Sequence, residues 1–322
     1  MPTAGAAAFG PMRLVVNPRA GRGAVARNLP TLTGALRQRG LDFDVVETTV
    51  AGGTAAVTRR ALDEGVRYLV AVGGDGTVHE VVNGMFERSS SGGGEGRPAV
   101  RPVVDGVVLG VAGAGSGCDF IRTFGLDREP VVIARHLATD ATMDIDVGVA
   151  DYRDAQGRPA RRLFANIAQV GYGAEVVRRA ARYPRFLGRV RYLLGAYAAI
   201  ATLHRQETEV VVAHTSTTLP VVDLVVANGQ FFGGGMKVAP RALPDDGRFN
   251  IQVFTGERSQ VFVMTSAIYR GEHLPHPNIV EYQSPTVQLA PADPLPVEAD
   301  GEVLGTTPAA FSLLRRVLRL KI

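Results

Sequence analysis

Over roughly its first 140 residues the chain repeats one pattern, a short β-rich run, a glycine-containing loop and a helical stretch, and that alternation is the signature of a parallel sheet with helices packed over it. Leu14 to Val16 is the first strand, which enters the loop Asn17 Pro18 Arg19 Ala20 Gly21 Arg22 Gly23 before a helix over Ala24 to Arg39. Asp42 to Thr48 is the second strand, and Thr54 can cap a helix whose Val57, Ala61 and Leu62 recur at helical spacing. Tyr68 to Val72 is the third, followed by Gly73 Gly74 Asp75 Gly76 Thr77 and a helix-like stretch from Val78 to Phe86. Val107 to Val111 is the fourth, followed by Gly113 Ala114 Gly115 Ser116 Gly117.

In a parallel sheet the C-terminal ends of the strands lie on one edge, so three glycine loops face one crevice. Gly73, Gly74 and Gly76 leave out the Cβ atoms that would hold the backbone away from a ligand, and N–H groups beside a helix N-terminus can then point at phosphate oxygens. Asp75 adds a carboxylate for magnesium or a hydroxyl. Thr77 either caps the helix or touches a phosphate. Thr49, just past the second strand, is either a nucleotide contact or a turn hydroxyl. Taken alone, such a loop is equally an ordinary tight turn.

From Met143 the texture changes to closely spaced β-like runs, Ile145 to Ala150, Leu163 to Ile167, Val210 to Ala213, Val221 to Ala227, Phe249 to Phe254 and Thr286 to Leu289, which describes a β-rich second domain over 143–308. Two helical segments interrupt it, Ala174 to Gln206 and Arg258 to Tyr269. Phe311 to Ile322 alternates in β-like fashion, so 309–322 is expected to return to the first domain, 1–142, as an added strand. Ser89 to Pro98 is a Ser/Gly run with little to bury and reads as a mobile surface loop.

Composition narrows the function classes. The 322 residues are 46% apolar and 20% charged, with 35 basic against 31 acidic side chains, an ordinary balance too mild to imply nucleic acid. The single cysteine, Cys118, excludes an intrachain disulfide and a multi-cysteine zinc site, and fits a reducing cytoplasm. It reads as a small buried residue. Met1 to Met12 lacks a basic n-region and reads as a disordered leader rather than a secretory signal. The longest apolar stretch, Tyr192 to Leu203, falls short of the roughly 20 residues of a spanning helix, so membrane contact is expected to be peripheral. Six arginines among aliphatic and aromatic residues between Arg178 and Tyr192 suit either anionic headgroups or a solvated helix face.

Taken in order, Asn17 Pro18 with Gly21 and Gly23, Gly73 to Gly84, Gly115 to Phe120, Gly171 to Glu175, Asn228 Gly229 with Gly233 to Met236, Asp245 Asp246 Gly247 and Asp300 Gly301 Glu302 make the chain resemble, over nearly its whole length, the diacylglycerol kinase catalytic-domain family of lipid kinases, which includes bacterial soluble diacylglycerol kinases and sphingosine kinases. The resemblance implies a nucleotide-binding α/β domain, a C-terminal β-sandwich domain and an active site in the cleft between them. It puts ATP on Asn17, Pro18, Arg19, Ala20, Gly21, Thr49, Gly73, Gly74, Asp75, Gly76, Thr77, Val78, His79 and Ser116. It implies a structural magnesium at Asp246 with the main-chain oxygens of Leu243 and Arg248, although spacing alone favours a plain β-turn there.

A kinase acting on an alcohol needs a carboxylate near the hydroxyl, and the resemblance assigns it to Asp300 Gly301 Glu302. Glu302 is the expected base, Asp300 lies beside it, and Asp75 helps to place metal or phosphate. If strand geometry persists, Asp300 and Glu302 share one face. Cys118 stands where the family usually has Asn, and a thiol is a poorer donor and acceptor than an amide. The reading is an ATP-dependent kinase of a diacylglycerol-like lipid taken from a membrane surface. Phosphatidylglycerol and a sphingoid base or ceramide are the near alternatives. An NAD kinase-like enzyme and a non-catalytic lipid-binding regulator are the distant ones.

Overall fold

The computed structural model describes residues 8–48, 52–88, 100–115, 117–184, 187, 190–202 and 205–322, and the chain divides into two compact units, Met1–Ile145 with Val317–Ile322, and Asp146–Arg316. In the first, β1 (Met12–Val16) leads into α1 (Ala20–Gln38), β2 (Phe43–Glu47) into α2 (Gly53–Asp63) and β3 (Tyr68–Gly73) into α3 (Asp75–Met85). The short antiparallel pair β4 (Phe86–Arg88) and β5 (Val100–Pro102) precedes β6 (Val108–Gly113), α4 (Asp119–Thr123) and α5 (Pro130–Leu137).

The sheet is parallel in the order β6-β3-β1-β2, with Val15 opposite Ala71 and Val72 opposite Ala112. Every residue of β3 and β6 is buried, as expected of parallel strands covered on both faces. On one face, Leu32 and Leu36 of α1 and Ile133 and Leu137 of α5 pack onto Met12, Leu14, Val70 and Val72. Phe9 and Met12, expected in a disordered leader, belong to the folded unit. Met12 is fully buried as the first residue of β1, and Phe9 meets the edge of Tyr68 at a centroid distance of 5.6 Å.

β7 (Thr142–Arg153) carries the chain into the second unit, which continues through β8 (Pro159–Phe164), β9 (Ile167–Gly171), α6 (Tyr172–Ala180), α7 (Val190–Thr202), β10 (Gln206–Val212), β11 (Thr215–Val221), β12 (Asp223–Ala227), β13 (Phe249–Phe254), α8 (Arg258–Arg270), β14 (Ile279–Ser284), β15 (Thr286–Leu289), β16 (Pro296–Ala299) and β17 (Glu302–Lys321). The ladders β14-β13-β12-β9-β16-β17 and β11-β10-β15-β17 are antiparallel. They are packed face to face. Leu224, Val226, Ile251 and Val253 share one core with Val210, Val212, Val287 and Leu289, while Val225 and Ala227, pointing the other way, pack with Met264 of α8.

Two expectations change. The helical segment drawn from Ala174 to Gln206 is two helices, because Pro184 offers no N–H to a helix and disfavours helical geometry at Tyr183; Gln206 already belongs to β10. The returning strand is the end of one 20-residue strand, β17, whose Arg319 and Leu320 pair in parallel with Val108 and Leu109 of β6. Beside it Lys321 is fully buried, and its Nζ donates to Thr139 Oγ1, Ala141 O and Ile322 O. The Ser89–Pro98 loop lies outside the described residues.

Candidate active site

The glycine loops of the first unit meet as their placement on one sheet edge requires. In the loop after β1, Asn17 N donates to Val72 O at 3.0 Å and Asn17 Oδ1 accepts from Arg19 N at 3.2 Å. Gly21, Arg22 and Gly23 then have φ of 59°, 58° and 78°, so regular helix begins only after Gly23. A Cβ on Gly21 would lie 2.0 Å from Ala114 O, in the loop after β6. One on Gly115 would lie 2.5 Å from Gly74 Cα, so the second and third loops touch glycine to glycine. Only a chain without side chains there permits this approach.

Gly74 is the N-cap of α3 and makes no side-chain cap bond, while Thr77 folds back over Gly73 and is buried. Thr77 is therefore neither the cap nor a side chain reaching outward. Val78 and His79 are buried as well, and the Thr77 and Val78 N–H groups donate to Gly74 O at 2.9 and 3.2 Å. Thr49 and Ser116 lie outside the described residues.

Asp75, half-buried at the start of α3, accepts from Phe120 N at 3.0 Å through Oδ1. Its Oδ2 and Asp119 Oδ2 lie 3.0 and 3.1 Å from the place a Cβ on Gly117 would take, so two carboxylates converge beside that glycine. The Arg128 guanidinium donates to Gly115 O at 2.6 Å. Asp119 was legible as part of the Gly115 to Phe120 motif but not as a partner of Asp75. Arg128 has no local signal, since it enters from 13 residues further along the chain.

Cys118 has φ 53° and caps α4; its Sγ accepts from Gly115 N at 3.1 Å and donates to Gly115 O at 3.3 Å. The thiol thus meets one donor and one acceptor of the loop, the pair of contacts an asparagine amide would offer. Burial raises its pKa, and the neighbouring Asp75 charge adds to the effect, which keeps it a thiol rather than a nucleophile.

In the second unit the acidic turn departs from the strand geometry expected of it. Asp300 and Gly301 have φ of 51° and 85° and form a two-residue turn between β16 and β17, with Ala299 opposite Glu302. Asp300 is buried, and its carboxylate accepts from Ala165 N at 3.1 Å, Asn166 N at 3.0 Å and Ile167 N at 3.2 Å. Asp300 therefore anchors the β8–β9 connection and does not share a face with Glu302, which is exposed at the start of β17. Leu243, Asp246 and Arg248 sit on one exposed turn. Asp246 Oδ1 accepts from Arg248 N at 2.9 Å, and Gly247 N donates to Asp146 Oδ2 at 2.7 Å.

A parallel α/β unit with a glycine cradle is thus joined to an antiparallel sandwich that presents an Asp-Gly-Glu turn. Residues 11–150 match the diacylglycerol kinase catalytic domain, and residues 166–322 match the YegS C-terminal NAD kinase beta sandwich-like domain. A "Probable lipid kinase YegS-like" of Chromohalobacter salexigens is 30% identical over 290 residues, 88% of this chain and 84% of that protein. A "Diacylglycerol kinase" of Staphylococcus carnosus is 25% identical over 311 residues, 94% and 92% of the two chains. A solved diacylglycerol kinase of Bacillus anthracis, 22% identical, has the same fold, with a TM-score of 0.69 over 98% of this chain and 97% of that one. The chain belongs to the diacylglycerol kinase family of lipid kinases, and membership implies ATP as the phosphoryl donor.

Proposed function

We propose that the chain transfers the γ-phosphate of ATP, with magnesium, to the free hydroxyl of a diacylglycerol-like lipid. The observation that carries this reading is the meeting of the three glycine loops, Gly21 on Ala114 and Gly74 on Gly115, beside the converging carboxylates of Asp75 and Asp119. Asn17 to Gly21 and Gly73 to His79 would hold the nucleotide largely by main chain, with Thr49 and Ser116 completing the set. Asp75 and Asp119 offer the hard oxygens that magnesium prefers, and the bound ion would neutralise charge on the phosphates. Glu302, exposed and adjacent to a rigid turn, would orient the lipid hydroxyl and accept its proton. Among the described residues no group of three or more His, Cys, Asp or Glu is placed to hold a metal ion, so a structural cation at Asp246 would rest on one carboxylate, main-chain oxygens of Leu243 and Arg248, and water.

Among the described residues no helix is long and apolar enough to cross a membrane. α7 offers another way to reach lipid. Val190, Leu193, Leu194 and Tyr197 are exposed at i, i+3, i+4 and i+7, while Gly195 on the opposite side packs tightly against Val176 O of α6. With exposed Arg182 close in sequence and Arg191 stacked over Tyr192 at 4.7 Å, this stripe suits the interface of an anionic bilayer. Replacing Leu193 and Tyr197 by serine should lower sedimentation with anionic vesicles; undiminished binding would remove α7 from the contact.

The reaction is tested with labelled ATP and magnesium against diacylglycerol, phosphatidylglycerol, a sphingoid base, ceramide and NAD, alongside Asp75→Ala. Label in diacylglycerol, lost in the variant, is the expected result. Label in NAD alone would overturn the reading, and ATP binding with no transfer would point to a regulator.

A further inference from the structure

Under the Asp300–Gly301 turn lies an acidic group that the chemistry above does not use. Glu298 of β16 is fully buried, and only one of its carboxyl oxygens has a partner: Oε2 accepts from Gly301 N at 2.8 Å, whereas Oε1 is buried without a hydrogen bond. Opposite it on β9 is Gln169, whose Oε1 is likewise buried without a partner. Directly opposed residues of an antiparallel pair project to one face with Cβ atoms about 4.5–5.5 Å apart, so these oxygens belong to neighbouring side chains. A proton on one of them would let the two oxygens share a hydrogen bond. α6 closes over them: a Cβ on Gly173 would lie 1.8 Å from Gln169 Oε1, and Gly173 N donates to Asp223 Oδ1 at 3.0 Å.

We propose that Glu298 is a positioning residue that works as the neutral acid, giving its proton to Gln169 Oε1 through one oxygen and fixing, through Gly301, the turn that presents Glu302. The inference rests on Glu302 being the base of the proposed reaction. The surroundings favour the neutral form. Burial pushes the Glu298 carboxyl well above the usual range; the bond from Gly301 N opposes this rise, and the negative charges of Asp300, Asp223 and Glu302 add to it. Asp223, on β12, is itself raised to about 7 by burial. On α6, which packs against β16, Tyr172 is neutral, and Glu175 occupies Arg178 and Arg179. On β8, Arg161 is taken by Asp151, and Arg162 follows it.

A glutamine reproduces the neutral acid, one donor and one acceptor, at every pH. A carboxyl whose folded pKa is raised contributes stability that is complete below its ordinary value and is lost as pH rises toward the folded one. The test compares full-length wild type, Glu298→Gln and Glu298→Ala by unfolding midpoint across pH 5.5 to 9, and by kcat and KM for ATP with diacylglycerol in mixed micelles. Glu298→Gln should gain on wild type as pH rises, by up to about tenfold in the unfolding constant per pH unit, and keep a near wild-type kcat at pH 6.5. Glu298→Ala should lose about ten- to a hundredfold in kcat with KM for ATP unchanged. A stability gap between Glu298→Gln and wild type that ignores pH, or Glu298→Gln as impaired as Glu298→Ala, would overturn the proposal. If wild type phosphorylates no lipid, the kinase reading fails separately, and the pH-dependent gap still decides whether Glu298 holds its proton.

Discussion

Replacing Asp300 by asparagine separates a supporting carboxylate from a reacting one. The carboxylate accepts three main-chain N–H groups at 3.0 to 3.2 Å, all buried. An asparagine with its carbonyl in place of Oδ1 keeps Asn166 and Ile167 as donors but turns an NH2 toward Ala165 N–H. One charge-assisted bond is lost and two become neutral ones, a loss of about 3–5 kcal/mol. For a unit the size of Asp146–Arg316, at about 2–4 °C per kcal/mol, the melting temperature should fall by roughly 6–20 °C. Glu302→Gln, at an exposed position, should move it by less than about 2 °C. Phosphoryl transfer by Glu302→Gln should nevertheless drop about 10²- to 10⁴-fold, the usual contribution of a general base. Scanning calorimetry, paired with transfer assays at a temperature where both variants are folded, reads the two effects apart. An Asp300→Asn chain that melts with wild type yet transfers no phosphate would refute the three-amide account and return Asp300 to the chemistry.

Gly21→Ala should destabilise by about 2–5 kcal/mol, from a left-handed alanine and an overlap with Ala114 O, and should weaken ATP binding in equilibrium titration. Gly106→Ala, with φ 75° and open space around it, should cost only the conformational part of about 1–2 kcal/mol, so equal losses at both sites would deny the loop contact. Cys118→Asn should hold or raise stability by up to about 1 kcal/mol in chemical denaturation, because asparagine tolerates the left-handed region that Cys118 occupies; a clear loss would mean the Sγ contacts to Gly115 are irreplaceable. Asp223, raised to about 7, stabilises fully below its ordinary carboxylate pKa and progressively less as pH climbs through 7. Asp223→Asn should therefore gain on wild type between pH 5 and 8, and parallel melting curves across that range would contradict its burial as an acid.

Much of the first unit was legible because its signals are local. Tyr68 to Val72 is apolar throughout, as a strand covered on both faces must be, and the loops after β1, β3 and β6 carry glycine where side chains would collide. The second unit's site was harder to read. Asp300 Gly301 is the dipeptide of a two-residue hairpin turn, which breaks the strand geometry on which a shared face depends, and the amides that Asp300 binds lie more than 130 residues earlier. Glu298 carries no local signal, because its burial depends on α6 closing over β9 and β16. The local signal for the break between α6 and α7 is Pro184.

The end of β17 fixes an order of events during synthesis. Val317–Ile322 belongs to the first unit, but it leaves the ribosome only after the whole of Asp146–Arg316. At about 5–20 residues per second, β6 waits roughly ten to forty seconds for the neighbour that Arg319 and Leu320 supply. Throughout that interval the nascent chain presents a buried-type strand edge, Val108 to Gly113, as an open template for pairing. Newly made chain is thus exposed to mispairing for longer than the α/β unit itself takes to emerge, and its yield should depend on translation speed across the second unit.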